Sequence, residues 1–164
     1  MAEAMKFDIA KLNSLLDGNY TPDAQSLIDR GWQSSVSADS INHAEAEWLA
    51  KALPANQELV LACYDSNGIV SLKTIRNERD SILSSIFEYG EYNIFITDYE
   101  LSFIFYFEQN NRYFLISGSS EFVKSAHPMT VETSQLMFYD WIDSGVNSKE
   151  EREFLINVWA KYCI

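Results

Sequence analysis

At 164 residues, with 47% hydrophobic and 14% aromatic content, the chain is long and apolar enough to bury a core of its own, which excludes an intrinsically disordered segment. Its 24 Asp and Glu against 12 Lys and Arg leave a net charge of −12, which disfavours nucleic acid, because binders of polyphosphates draw most of their affinity from Lys and Arg. Two widely spaced cysteines, Cys63 and Cys163, form neither a disulfide framework nor a zinc knuckle, and no stretch resembles a signal peptide or approaches 18 apolar residues, so the expectation is a reduced cytoplasmic protein with no membrane partner.

The pattern reads as a single domain over residues 1–164, with no repeat or linker. Met5, Ile9, Leu12 and Leu16 recur at helical spacing before the stop Asp17-Gly18-Asn19. Thr21 is the expected N-cap of a second helix, with Pro22 in its first position and Gly31 at its close. Ser37 or Asp39 opens a third, which runs through Ile41, Ala44, Trp48 and Ala52 to Pro54. Glu58 to Tyr64 and Ile69 to Ile75 then read as a hairpin across Asp65-Ser66-Asn67-Gly68.

Glu78 to Tyr89 predicts a helix that buries Ile82, Leu83, Ile86 and Phe87 and ends at Gly90. Tyr92 to Thr97, Leu101 to Glu108 and Tyr113 to Ser117 form an antiparallel meander. In its middle run Leu101, Phe103, Phe105 and Phe107 alternate with Ile104 and Tyr106, so this strand is central and covered on both faces. Helices follow over Ser119 to Ala126 and Thr130 to about Asp143, the second with Met137 and Trp141 toward the core. An S-x-x-E capping box at Ser148 and Glu151 starts a last helix that buries Phe154, Leu155, Val158, Trp159 and Tyr162. The expected fold is α+β, a largely antiparallel sheet of about five strands flanked by N-terminal and C-terminal helices.

Catalytic patterns are incomplete. His43-Ala44-Glu45 matches the H-x-E half of a zinc deaminase signature, but no P-C-x-x-C accompanies it. His43 and Glu47 stand at i and i+4, the spacing of an ordinary exposed helix pair. His127 precedes Pro128 with no nucleophile fixed beside it by a motif, and Asp98 and Glu100 have the spacing of a turn. G-x-S-x-G, the P-loop and G-x-G-x-x-G are absent. The expectation is a non-enzyme with no cofactor and no metal.

Charge is more informative. From 80 to 111 the chain has no Lys or Arg, while Asp80, Glu88, Glu91, Asp98, Glu100 and Glu108 lie among many aromatic residues. Tyrosine offers apolar area with a polar tip, and carboxylates accept paired bonds from arginine. The connections either side of Tyr92 to Thr97 therefore give Glu88, Tyr89, Glu91, Asp98, Tyr99 and Glu100 as candidate partner-binding residues, with Glu108 beside them. A second basic-free stretch, 125 to 148, adds Asp140 and Asp143, and helical spacing sets Glu132, Tyr139 and Asp143 near one face.

The run Ile94-Phe95-Ile96-Thr97-Asp98-Tyr99-Glu100-Leu101-Ser102-Phe103-Ile104-Phe105-Tyr106, followed by Tyr113-Phe114-Leu115-Ile116-Ser117-Gly118, resembles the sheet core of small bacterial immunity proteins. These accompany polymorphic toxins and contact-dependent growth inhibition systems. The resemblance spans about residues 90–118 and implies a cytosolic inhibitor that occludes the active site of a basic toxin domain, often a nuclease. Two other readings stay open: a general adaptor or regulatory module, and an enzyme built without a familiar motif.

Overall fold

The apolar runs between 93 and 118 build the middle of the sheet in the computed structural model, which describes residues 7–163. In chain order the elements are α1 (Ile9–Asn13), α2 (Ala24–Asp29), β1 (Gln33–Ala38), α3 (His43–Lys51), β2 (Glu58–Asp65), β3 (Gly68–Arg76), α4 (Arg79–Glu88), β4 (Asn93–Thr97), β5 (Phe103–Phe107), β6 (Tyr113–Gly118), α5 (Ser120–Ala126), α6 (Val131–Gly145) and α7 (Lys149–Tyr162). The α+β class holds, with six strands in the order β1-β6-β5-β4-β2-β3, every pair antiparallel. Met5 lies outside the described residues.

Strand periodicity divides the core in two. Val60, Ala62, Tyr64, Phe95, Ile104, Tyr106 and Leu115 face a layer formed by α1, α2, α6 and α7. Leu59, Leu61, Cys63, Ile94, Ile96, Phe105 and Ile116 face a layer formed by α3, α4 and α5. Helices on both faces explain why β4, β5 and β6 are buried along their whole length and why β5 lacks an apolar–polar alternation.

The strand that sequence reasoning missed is β1. Gln33-Ser34-Ser35-Val36-Ser37-Ala38 has one fully buried apolar residue, Val36, and reads as a loop. It is held by register against β6 and by hydroxyls: Ser34 Oγ lies 3.0 Å from Ser117 Oγ, and Ser37 donates to Glu45 Oε2 at 3.1 Å. The third helix accordingly starts later than Ser37 or Asp39. Asn42 caps it, accepting from Glu45 N at 2.8 Å while Glu45 Oε1 accepts from Asn42 N at 3.0 Å.

Other details shift for local reasons. Asp23, not Thr21, caps α2, because Thr21 is bound into a turn by Asp17, whose Oδ2 accepts from its hydroxyl at 2.6 Å. Leu101 departs from the face of Phe103, Phe105 and Phe107. Its φ of 55° turns the chain before β5 begins and sends its side chain into the opposite core, a conformation that strains a non-glycine residue. On α6 the core stripe is Ser134, Phe138 and Ile142, leaving Met137 55% exposed and Trp141 half-buried. Ser148 caps α7 through Glu151 N at 3.2 Å, but it is Glu150 whose carboxylate accepts from the Ser148 hydroxyl. Among the described residues no helix is long and apolar enough to cross a membrane.

Candidate functional site

The sheet ends on one side at β3, which pairs with β2 and carries no further strand among the described residues. Its outer backbone N–H and C=O groups are therefore available to a partner strand. Ile69, Val70 and Leu72 are 44%, 48% and 37% exposed there, an apolar load unusual for an unprotected edge. Gly68, at φ 123°, makes the hairpin turn that presents the strand.

The two predicted acidic connections sit at opposite ends of β4, about 17 Å apart for five residues at roughly 3.3 Å each. Both nevertheless reach the β3 edge. From one side the Lys73 ammonium lies 3.7 Å from Glu88 Oε2 and 4.7 Å from the Tyr89 ring centroid. From the other, Tyr99 Oη lies 3.2 Å from Thr74 Oγ1 and donates to Glu58 Oε2 at 3.5 Å. Lys73 stands opposite Leu61 and Thr74 opposite Val60, which belong to the two different cores, so the connections flank β3 from its two faces.

On α4, one residue before Glu88, lies the most exposed large apolar side chain among the described residues. Phe87 on α4 is 91% exposed, contrary to its expected burial with Ile82 and Ile86, since one residue past Ile86 turns the side chain about 100° out of the core stripe. Asp80, Ser84 and His43 share its shallow outer depression, and Glu88 and Glu91 are exposed next to it in sequence. Glu100 is also exposed, whereas Asp98 is half-buried and accepts from Ser102 N at 2.8 Å, as in a turn.

Glu108 does not belong to this surface. It is 4% exposed and its carboxylate is fully engaged, Oε1 accepting from Arg112 Nη2 at 2.6 Å and Nε at 3.0 Å, Oε2 from the backbone N–H of Asn110 at 3.1 Å and of Arg112 at 3.0 Å. It organises the turn between β5 and β6. Asp140 and Asp143 are exposed on α6, in the layer opposite to α4, alongside Leu136 at 73% exposure. They form a separate acidic patch.

The H-x-E pair is pulled apart. Glu45 is buried in its capping box, where burial raises its carboxyl above the ordinary range, while His43 is exposed. Glu47 lies 3.7 Å from both Lys51 and Arg79. Burial pushes the Cys63 thiol up to about 12 and the Cys163 thiol up to about 11, so neither is a thiolate at neutral pH. Among the described residues no three His, Cys, Asp or Glu side chains converge as metal ligands would.

His127 sits at the opposite sheet edge, 4% exposed, with Nδ1 2.7 Å from Ser35 Oγ and Nε2 without a partner among the described residues. Desolvation holds its imidazole below the ordinary value of 6.5. As pH falls through 6.5 the unfolded chain takes up a proton that the folded chain refuses, so stability is lost from there down to the folded value and no further. His127→Gln is expected to flatten that part of the stability profile, read as the difference in urea midpoints between variant and wild type; an unchanged slope would mean that His127 takes up its proton alike in the folded and the unfolded chain.

Neither family models, nor curated proteins, nor solved structures match this chain.

Proposed function

We propose that the protein is an immunity-type inhibitor whose β3 edge and adjoining α4 surface bind a basic toxin domain and block its active site. The observation that carries this reading is Phe87, 91% exposed, with Asp80 in the same depression, the exposed Glu88 and Glu91 close to it in sequence and the outer edge of β3 packed near α4. An aromatic anchor within a charged rim is the usual anatomy of a strong interface. Carboxylates at the rim occupy positions that substrate phosphates would take in a nuclease and accept paired bonds from its arginines. Tyr99 and Glu100 extend the contact along the other face of β3, and the net charge of −12 steers a basic partner toward the complex.

The test is titration against the toxin domain encoded beside the gene. A stoichiometric complex in gel filtration, loss of toxin activity and an association rate that falls steeply with added salt are expected. Glu88→Lys with Glu91→Lys should slow association by about tenfold or more at low salt while leaving dissociation much less affected. No complex and no protection of cells would overturn the proposal; a complex whose association rate ignores both substitutions would move the interface away from α4.

A further inference from the structure

At the β1 edge, remote from the β3 surface, the fold forms a partly open cavity of about 430 Å³, within the range of small-ligand sites. Ile28, Trp32, Val123, Met129, Val131 and Trp159 give it apolar walls. No Asp or Glu lines it, although the chain carries 24 of them, and two of its 12 cationic residues, Lys124 and Lys161, do. In a protein of this charge the cavity is a local reversal of sign.

Main-chain geometry adds donors. Val36 presents its backbone outward from the sheet: its carbonyl accepts from Ser134 Oγ at 3.4 Å. Gln33, by contrast, turns its carbonyl toward β6, where it accepts from Ser117 Oγ at 3.0 Å. The two-residue period therefore points the Ser34 N–H outward as well, into a cavity that Ser34 lines and with no protein acceptor described for it. Lys124 is exposed and makes no ion pair among the described residues, while Lys161 shares its charge with Asp17 at 3.5 Å. His127 completes the wall with its unpartnered Nε2.

We propose that this cavity binds a small amphipathic carboxylic acid, its apolar body against the Trp32 and Trp159 walls and its carboxylate held by a lining cation, Lys124 foremost, and by the Ser34 N–H. A single carboxylate matches a site with few donors and a mostly apolar wall; a phosphate ester would ask for more. Nothing in this assignment depends on the toxin-binding reading.

Octanoate, octanol and octylammonium share one apolar tail and differ in charge, and Trp32 and Trp159 report occupancy through their fluorescence. The intact chain is expected to bind octanoate saturably and about tenfold or more tightly than octanol, with octylammonium weakest. Lys124→Glu, at an exposed position that the fold tolerates, should weaken octanoate by about tenfold and leave octanol unchanged. Phe87→Ala should leave all three unchanged. Equal binding of octanoate and octanol, indifference to Lys124→Glu, absence of a saturable change, or loss of binding in Phe87→Ala would each overturn the proposal.

Discussion

Glu108→Ala is expected to remove about 3 kcal/mol of stability and to lower the melting temperature by about 6–12 °C. The carboxylate is enclosed at 4% exposure and accepts four hydrogen bonds, two from the Arg112 side chain and two from the backbone of the turn that joins β5 to β6. Deleting it strands the Asn110 and Arg112 amides and leaves the guanidinium, which lies 3.6 Å from the Phe154 ring centroid, without its counter-ion. The cost of such a deletion is mainly that of the groups left behind, which is larger than the net worth of the pair. Glu108→Gln keeps acceptor oxygen but loses the charge, and should fall between the two. Thermal melts and urea titrations of the three proteins check the order. A shift below about 2 °C for Glu108→Ala would mean that the turn holds its shape without the carboxylate.

Phe87→Ala is expected to do the reverse: leave the melting temperature unchanged within about 1 °C and weaken partner binding by about thirtyfold or more, which is about 2 kcal/mol. At 91% exposure the ring contributes almost nothing to the fold. An interface that seats it against a partner desolvates the whole side chain, and buried aromatic anchors are where truncation costs most. Calorimetric titration with the toxin domain reads the loss. An unchanged dissociation constant would remove α4 from the contact, and a large fall in melting temperature would show that Phe87 packs within its own chain.

The helices and the five strands with strong apolar content were legible because their periodicity is imposed by burial, on one face in the helices and on both in β4, β5 and β6. What escaped follows from forces that leave little trace in hydropathy. β1 is a strand because β6 offers an edge and because serines satisfy one another; its own sequence buries only Val36 completely. Leu101 left the alternation through one positive φ, which composition does not reveal in a leucine. Phe87 and Met137 read as core residues in the sequence because apolar residues next to a buried stripe look alike whichever way the helix turns them. Among the acidic residues, charge alone could not separate Glu108, consumed by its own turn, from Glu88, Glu91 and Glu100 at the surface. The basic walls of the β1 cavity were hidden for a different reason: Lys124 and Lys161 belong to different helices and line one cavity only in the fold.

One contact reaches across nearly the whole chain. The Tyr162 hydroxyl donates to the Pro22 carbonyl at 2.6 Å, and Lys161 lies 3.5 Å from Asp17, so the last turn of α7 latches the segment that leads into α2. During synthesis that latch forms only after every strand of the sheet is out, because β6 ends at Gly118 and α7 begins at Lys149. Until residue 162 has cleared the ribosome, the helical layer containing α1 and α2 lacks its closing member, and Leu12, Leu27 and Tyr64 border a core still open to water. Contacts so distant in sequence raise the contact order of the fold, which slows folding. Between the emergence of β6 and that of α7 the nascent chain holds its strands with this flank incompletely covered, a stage at which a chaperone has apolar surface to hold.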